Sequence, residues 1–231
     1  MIRVFIGFDA RETAAFHVLS HSILAHASQP VAITPIRLSH LHGIFTRARD
    51  PMQTTDFSFS RFLTPYLCDY QGWAVFMDCD MLMRDDVAKL WALRDERFAV
   101  QVVKHNHVPK ETTKFLGAAQ TKYAKKNWSS VMLLNNERCK TLTLDYVNRA
   151  TGLELHQFKW LQNDDLIGEL PHGWNHLVGY DPHSADAPLL HYTTGGPYID
   201  RWRDTEYAAD WFAERDRMLF VEQGLAQKPK K

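Results

Sequence analysis

Little in the chain ties it to a disulfide framework, a membrane or a nucleic acid. Among 231 residues there are three cysteines, Cys68, Cys79 and Cys139. Their odd number and the absence of CxxC spacing suit neither a disulfide scaffold nor a zinc knuckle, and fit a reducing cytosol. Basic and acidic side chains number 27 each, so no overall field draws the protein to nucleic acid. No apolar run approaches the roughly 20 residues that a membrane-spanning helix needs. The start, Met1 to Asp9, has no long apolar region or small-residue cleavage site and reads as a first strand. Without a GxGxxG, a dinucleotide cofactor is unsupported.

What is present is an ordinary globular balance of 45% hydrophobic and 23% charged residues, enough for a substantial core in one α/β domain over 1–222, with a disordered basic tail at 223–231. Ile2 to Phe8, Arg11 to Ala27 and Val31 to Arg37 read as a β-α-β unit with a loop at Asp9 above the first strand. Ser39 to Thr55 reads as a mobile loop. Phe59, Phe62, Leu63, Tyr66 and Leu67 recur at helical spacing. They predict an amphipathic helix capped by Thr55 or Asp56 and kinked at Pro65, with Arg61 off the stripe and solvated. Further strands are expected at Phe98 to Val103, Trp128 to Leu134 and Leu189 to Tyr192. Helices are expected near Asp86 to Leu93, at Glu137 to Ala150, and at Thr205 to Glu222 with Tyr207, Trp211 and Leu219 as anchors.

The most informative stretch is Trp73-Ala74-Val75-Phe76-Met77-Asp78-Cys79-Asp80, a short apolar run that ends in two carboxylates. Such a run reads as a core strand whose carboxyl end is a ligand-binding edge. Two neighbouring acids favour a divalent cation or a cationic partner between them. They also suit the simpler role of ending a strand and starting the helix at Asp85-Asp86. The segment holding Lys104, Lys110, Lys114, Lys122, Lys125 and Lys126 against Glu111 suits an anionic ligand, although most such runs are solvated. His17 and His21 have helical zinc spacing without the HExxH glutamate and read as surface residues. His105 and His107 share a strand face and read as exposed.

Taken in order, several of these pieces resemble the metal-dependent nucleotide-sugar glycosyltransferases of GT-A fold, in particular the retaining family of glycogenin and the bacterial lipopolysaccharide galactosyltransferases. Phe59 to Leu67 resembles the helix before the metal motif, and Asp78-Cys79-Asp80 the DxD. Ser129-Ser130-Val131-Met132-Leu133-Leu134-Asn135 is similar to the small-residue strand under the donor sugar. Asp164-Asp165 resembles the family's acidic segment, Leu170-Pro171 and Trp174-Asn175 its Leu-Pro and Trp-Asn pairs, and His191-Tyr192 its late metal-site His. The resemblance implies a single Rossmann-like mixed sheet flanked by helices. It also implies a hexosyl transfer from a nucleotide sugar, UDP-linked above all, to a glycan, lipid or protein acceptor with retention. Asp78, Asp80 and His191 would hold Mn²⁺ or Mg²⁺. Asp9, Arg61, Asp78, Ser129 and Ser130 would hold the donor, and Asp164, Asp165 or Gln162 would face the reacting carbon.

One departure matters. The family has a Gly and then Lys-Pro-Trp after its late His, whereas here His191-Tyr192-Thr193-Thr194-Gly195-Gly196-Pro197-Tyr198 carries no Lys. Backbone N–H groups of Gly195 and Gly196 are then expected to take the diphosphate. Two other readings compete. One is an aspartate-nucleophile phosphatase using Asp78 and Asp80, disfavoured by the preceding β-α-β unit and by Met81-Leu82 where a hydroxyl is usual. The other is a nucleotide-sugar-binding module without turnover.

Overall fold

The computed structural model describes residues 1–50, 53–106, 113–114, 118–119 and 123–220. His107, Lys110, Glu111, Lys122, the Lys114 side chain and the tail 223–231 lie outside the described residues.

The chain opens with β1 (Ile2–Gly7), α1 (Thr13–His26) and β2 (Val31–Ile36), a parallel β-α-β unit. After a long loop come α2 (Thr64–Leu67), β3 (Trp73–Met77), β4 (Met81–Met83), α3 (Val87–Ala92) and β5 (Val100–Val102). Two short strands, β6 (Thr113–Lys114) and β7 (Ala118–Ala119), pair with each other. The remainder is β8 (Val131–Asn135), α4 (Leu144–Arg149), α5 (Gly152–His156), β9 (Ile167–Glu169), β10 (His176–Leu177), β11 (Leu189–His191) and α6 (Ala208–Met218).

Six strands form a mixed sheet in the order β2-β1-β3-β8-β5-β9, with β8 antiparallel to both its neighbours. The order reflects side-chain chemistry. Every residue of β3 is buried, and a strand with no polar side chain needs cover on both faces, which only a central position supplies. β2 carries Pro35, which has no N–H to donate, and sits at the edge. Alongside the expected sheet there is a smaller one, β10-β11-β4, in which β11 runs antiparallel to β4. The chain passes from the large sheet to the small one through Asp78-Cys79-Asp80, so the acids stand at the corner where the two sheets meet.

Several elements are shorter than periodicity predicts. The stretch from Phe59 to Leu67 is not one helix but a 3-10 turn, Ser60–Leu63, running into α2. Pro65 lies in the first turn of α2, where its missing N–H costs nothing. Neither expected cap forms, since Asp56 pairs with Arg49 at 2.5 Å and Thr55 with the Ser58 hydroxyl. The expected helix at 137–150 is reduced to α4, because Thr143 caps it from within by accepting from the Tyr146 N–H. Thr151 and Glu154, at T-x-x-E spacing, form a reciprocal capping box that starts α5. The strand expected from Trp128 begins only at Val131, after a 3-10 turn. In α6 Trp211 is buried, but Leu219 is 60% exposed and anchors nothing.

The loop expected to be mobile is tied to α4. Arg47 donates to the carbonyls of Val147 and Ala150, and Asn148 accepts from the Thr46 N–H.

Candidate functional site

Backbone pairing fixes the corner on both sides. The Asp78 N–H donates to the Ser130 carbonyl, and the Tyr192 N–H donates to the Asp80 carbonyl. β4 and β11 are in register with Met81 opposite His191, which brings a side chain 111 positions downstream beside the acids. One ligand atom from each of Asp78, Asp80 and His191 lies within 4.8 Å of the others. His191 Nε2 stands 3.4 Å from Asp80 Oδ1, and its Nδ1 stands 2.8 Å from Asn175 Oδ1.

Asn175 sets the state of that ring. Its Nδ2 donates to the Asn127 carbonyl, so its Oδ1 is the atom facing His191 and can only accept. Nδ1 of His191 therefore carries a proton, and Nε2 is the ring atom turned toward the Asp80 carboxylate, where it is placed to serve as a metal ligand. Two carboxylates and one imidazole so oriented fit Mn²⁺ well, and Mg²⁺ less well because it prefers an all-oxygen shell.

Arg61 is not solvated. It is 5% exposed, and its Nη1 lies 2.6 Å from Asp78 Oδ1 while donating to the Ser129 carbonyl at 2.9 Å. Nε donates to the Ser58 carbonyl, and the guanidinium lies about 5 Å from the ring centroids of Phe57 and Phe76. The one side chain thus joins the 3-10 turn, the DxD corner and the start of β8.

Beside the corner is a cavity of about 410 Å³ whose wall includes Arg61, Asp78, Lys126, Ser129, Ser130 and His156. Both serines expected under the donor are there, and the Ser129 hydroxyl is 2.7 Å from His156 Nδ1. Lys126 is a cation on this wall that the sequence does not separate from its neighbours. It is 4% exposed, and it lies between Lys125 and Asn127, both in the left-handed region at φ +63° and +65°. Two such residues cost about 1–2 kcal/mol each and fold the chain tightly enough to send Lys126 inward.

A third carboxyl lies beneath the acids. Glu12 is 2% exposed, accepts from the Tyr198 hydroxyl at 2.6 Å, and receives the Cys79 thiol at 3.7 Å. Burial, followed by the Asp80 charge, pushes its pKa up to about 8. At neutral pH Glu12 is then mostly protonated, and the negative charge stays at the corner.

No family model matches the chain. Protein CDI of Arabidopsis thaliana is 47% identical to it over 224 residues, covering 93% of this chain and 86% of that protein. The chain belongs to the family of Protein CDI. Solved structures more distant in sequence share its fold. The bifunctional glycosyltransferase WbbM matches at TM-score 0.62 and 15% identity, over 93% of this chain and 49% of that one. The glycosyltransferase GlyE of Streptococcus pneumoniae TIGR4 matches at 0.60 and 14%, over 93% and 60%. The galactosyltransferase LgtC, solved with donor and acceptor sugar analogs, matches at 0.57 and 11%, over 94% and 96%. The CDI-family chain therefore spans about half the length of WbbM and three fifths of GlyE, and nearly all of LgtC. The fold is GT-A, as the resemblance implies.

The CDI-family chain does not bring every expected residue to the cavity. Gln162, Asp164 and Asp165 are exposed, the two acids on a 3-10 turn and Gln162 in the bend before it, and Asp164 is held by Lys125 at 2.6 Å, which lowers its pKa. They are absent from the cavity wall, and their segment leads into β9, an edge strand of the large sheet. Asp9 is buried. Burial alone would raise its pKa, but the Arg11 side chain and the backbone N–H groups of Arg11 and Asp56 outweigh that and hold it below the usual range. Both its oxygens serve this loop.

The Gly195 N–H is already donated to the Tyr192 carbonyl, so it does not await a diphosphate. Gly195 is required by its φ of +146° and because a Cβ there would clash with the Trp202 ring, and a Cβ on Gly196 would clash with Tyr198. His21, expected to be a surface residue, pairs with buried Glu214 at 2.6 Å. His105, expected exposed, is buried. No helix among the described residues is long and apolar enough to cross a membrane.

Proposed function

We propose that this chain is a metal-dependent glycosyltransferase that moves a sugar from a nucleotide-sugar donor, UDP-linked above all, to an acceptor with retention at the anomeric carbon. The observation that carries the reading is the convergence of Asp78, Asp80 and His191 beside a cavity whose wall supplies Arg61 and Lys126. The glycosyltransferases that share the fold, LgtC with its donor and acceptor analogs among them, support it. Three free, buried cysteines are in keeping with a cytosolic protein.

Asp78, Asp80 and His191 would hold Mn²⁺, which when bound supplies Lewis-acid stabilisation of the charge left on the departing phosphate. Lys126 takes the part of the missing late lysine and faces the diphosphate. Arg61 keeps Asp78 ionised and aimed, while Ser129 and Ser130 offer the sugar polar contacts from below. Asn175 holds His191 in the tautomer that presents Nε2. Asp164, Asp165 or Gln162 would act at the reacting carbon only after their turn moves toward the donor. The phosphatase reading gains nothing from the geometry, since its nucleophile, Asp78, is locked to Arg61.

The test is a thermal-shift screen of UDP, GDP and their sugars with and without Mn²⁺. Stabilisation by a nucleotide should require Mn²⁺, and Asp80→Ala and His191→Ala should each abolish it. Undiminished shifts in either variant would remove the metal assignment. Turnover of the donor that binds, monitored by NMR of the product's anomeric configuration, checks transfer and retention.

A further inference from the structure

The described residues hold a second convergence of ligand atoms that shares no residue with the corner. His105 after β5, His172 at the start of a 3-10 turn and Asp181 in the loop after β10 each offer one atom, all within 4.8 Å of one another. Two of the three are anchored from behind. The His105 carbonyl accepts from the Trp128 indole at 2.8 Å, which fixes the chain where it leaves β5. Asp181 Oδ2 accepts from the Leu177 N–H at 2.7 Å and meets His172 Nε2 at 2.8 Å. The two imidazoles stand edge to face, their centroids 4.9 Å apart.

His172 and Asp181 form an ion pair, and His105 adds a second imidazole with a ligand atom within 4.8 Å of both. The donor set also differs from that of the corner. Two nitrogens and one oxygen suit a borderline ion of the Zn²⁺ type, whereas Mg²⁺ and Ca²⁺ select oxygen shells. A tetrahedral zinc with bonds of about 2.0–2.2 Å would sit between atoms that already lie within 4.8 Å of one another, and the direct His172–Asp181 contact at 2.8 Å would open to admit it. His172, with its side chain 58% exposed, has the freedom to do so and leaves the fourth position to water.

We infer that His105, His172 and Asp181 form a zinc-type site, and that an ion there braces the turn carrying Asn175. That turn runs from His172 to Asn175, with one end in the new site and the other holding His191. β10 comes directly after it and pairs with β11 at Leu177 and His191. The zinc site itself does not depend on the glycosyltransferase reading.

The experiment uses the full chain carrying Asp80→Ala, which removes a ligand from the corner, and titrates Zn²⁺ against a chromophoric chelator. One equivalent should bind, unaffected by excess Mg²⁺, and Co²⁺ in its place should show visible absorption of tetrahedral intensity. Adding His172→Ala, or separately Asp181→Asn, should weaken zinc at least tenfold. Because His172 is exposed, circular dichroism should show the first variant folded. Equal zinc affinity with and without His172, or no zinc retained by Asp80→Ala, would overturn the site. Amide exchange over 172–177 should slow when zinc is added, and unchanged exchange would overturn the brace.

Discussion

The DxD corner and the acidic turn at 162–165 carry similar side chains in very different settings. At the corner each acid is held by neighbours far away in the chain, Asp78 by Arg61 and Ser130 and Asp80 by Tyr192, with His191 Nε2 beside it at 3.4 Å. At the turn Asp164 relies on one lysine and is 68% exposed, and Asn163 merely caps its own turn. The corner is preorganised because it ends a fully buried strand, so its geometry is set by the sheet. The turn is held by its Asn163 cap, by Lys125 and by the Ala99 N–H on the Leu166 carbonyl, and its acids stay at the surface. An acid placed by a sheet can wait for a cation, whereas an acid on an exposed turn has to be carried to its work.

The sharpest way to break this contrast is to remove what preorganises the corner. Arg61→Met leaves Asp78 buried without its guanidinium and should destabilise the fold by about 3–5 kcal/mol in urea unfolding. A loss below about 1 kcal/mol would mean that water reaches Asp78 freely. Next in size, Asn175→Ala should weaken Mn²⁺ binding about 10- to 100-fold by freeing the His191 ring, and should cost about 1–3 kcal/mol in unfolding because it orphans two buried partners. An unchanged Mn²⁺ titration would show that the ring needs no orienting partner.

Glu12 supplies a pH test. Its pKa is raised in the folded protein, so between the ordinary carboxyl range and about 8 the native state holds a proton that the unfolded chain has released. Stability should therefore fall as pH rises through that window, and Glu12→Gln should flatten the fall when both proteins are measured in chelator. A parallel decline in the two proteins would assign it to other groups. The smallest effect is expected at the turn, where Asp164→Asn or Lys125→Ala should change stability by less than about 1 kcal/mol. If Asp164→Asn nevertheless cuts turnover, the turn works by moving.

Legibility in the sequence divides along the same line. The apolar run at Trp73 to Met77 has only one comfortable place, and its position fixes where Asp78 and Asp80 emerge. His191 could be anticipated because it ends a second short apolar run. Helix lengths were harder, since Pro65 and Thr143 reset the register inside segments whose apolar spacing looked continuous. Lys126 was hidden in a run of lysines, because its burial depends on backbone angles at Lys125 and Asn127 that no side-chain pattern encodes. Arg61 lay off the apolar stripe of a helix that does not form, so its reach to Asp78 depends on a 3-10 turn. The partnership of Asn175 with His191 is a tertiary contact, and only the pairing of β10 with β11 creates it.

Cys79 sits between the two acids, wholly buried, its thiol turned toward Glu12. Burial and then the Glu12 and Asp80 charges drive its pKa well above that of an ordinary thiol. A thiol-specific reagent can react there only in molecules whose corner has opened, so the rate of labelling counts the openings. With Cys68 and Cys139 replaced, that rate becomes a native chemical clock placed under the ligand atoms, and any ion or nucleotide that holds the corner shut should slow it.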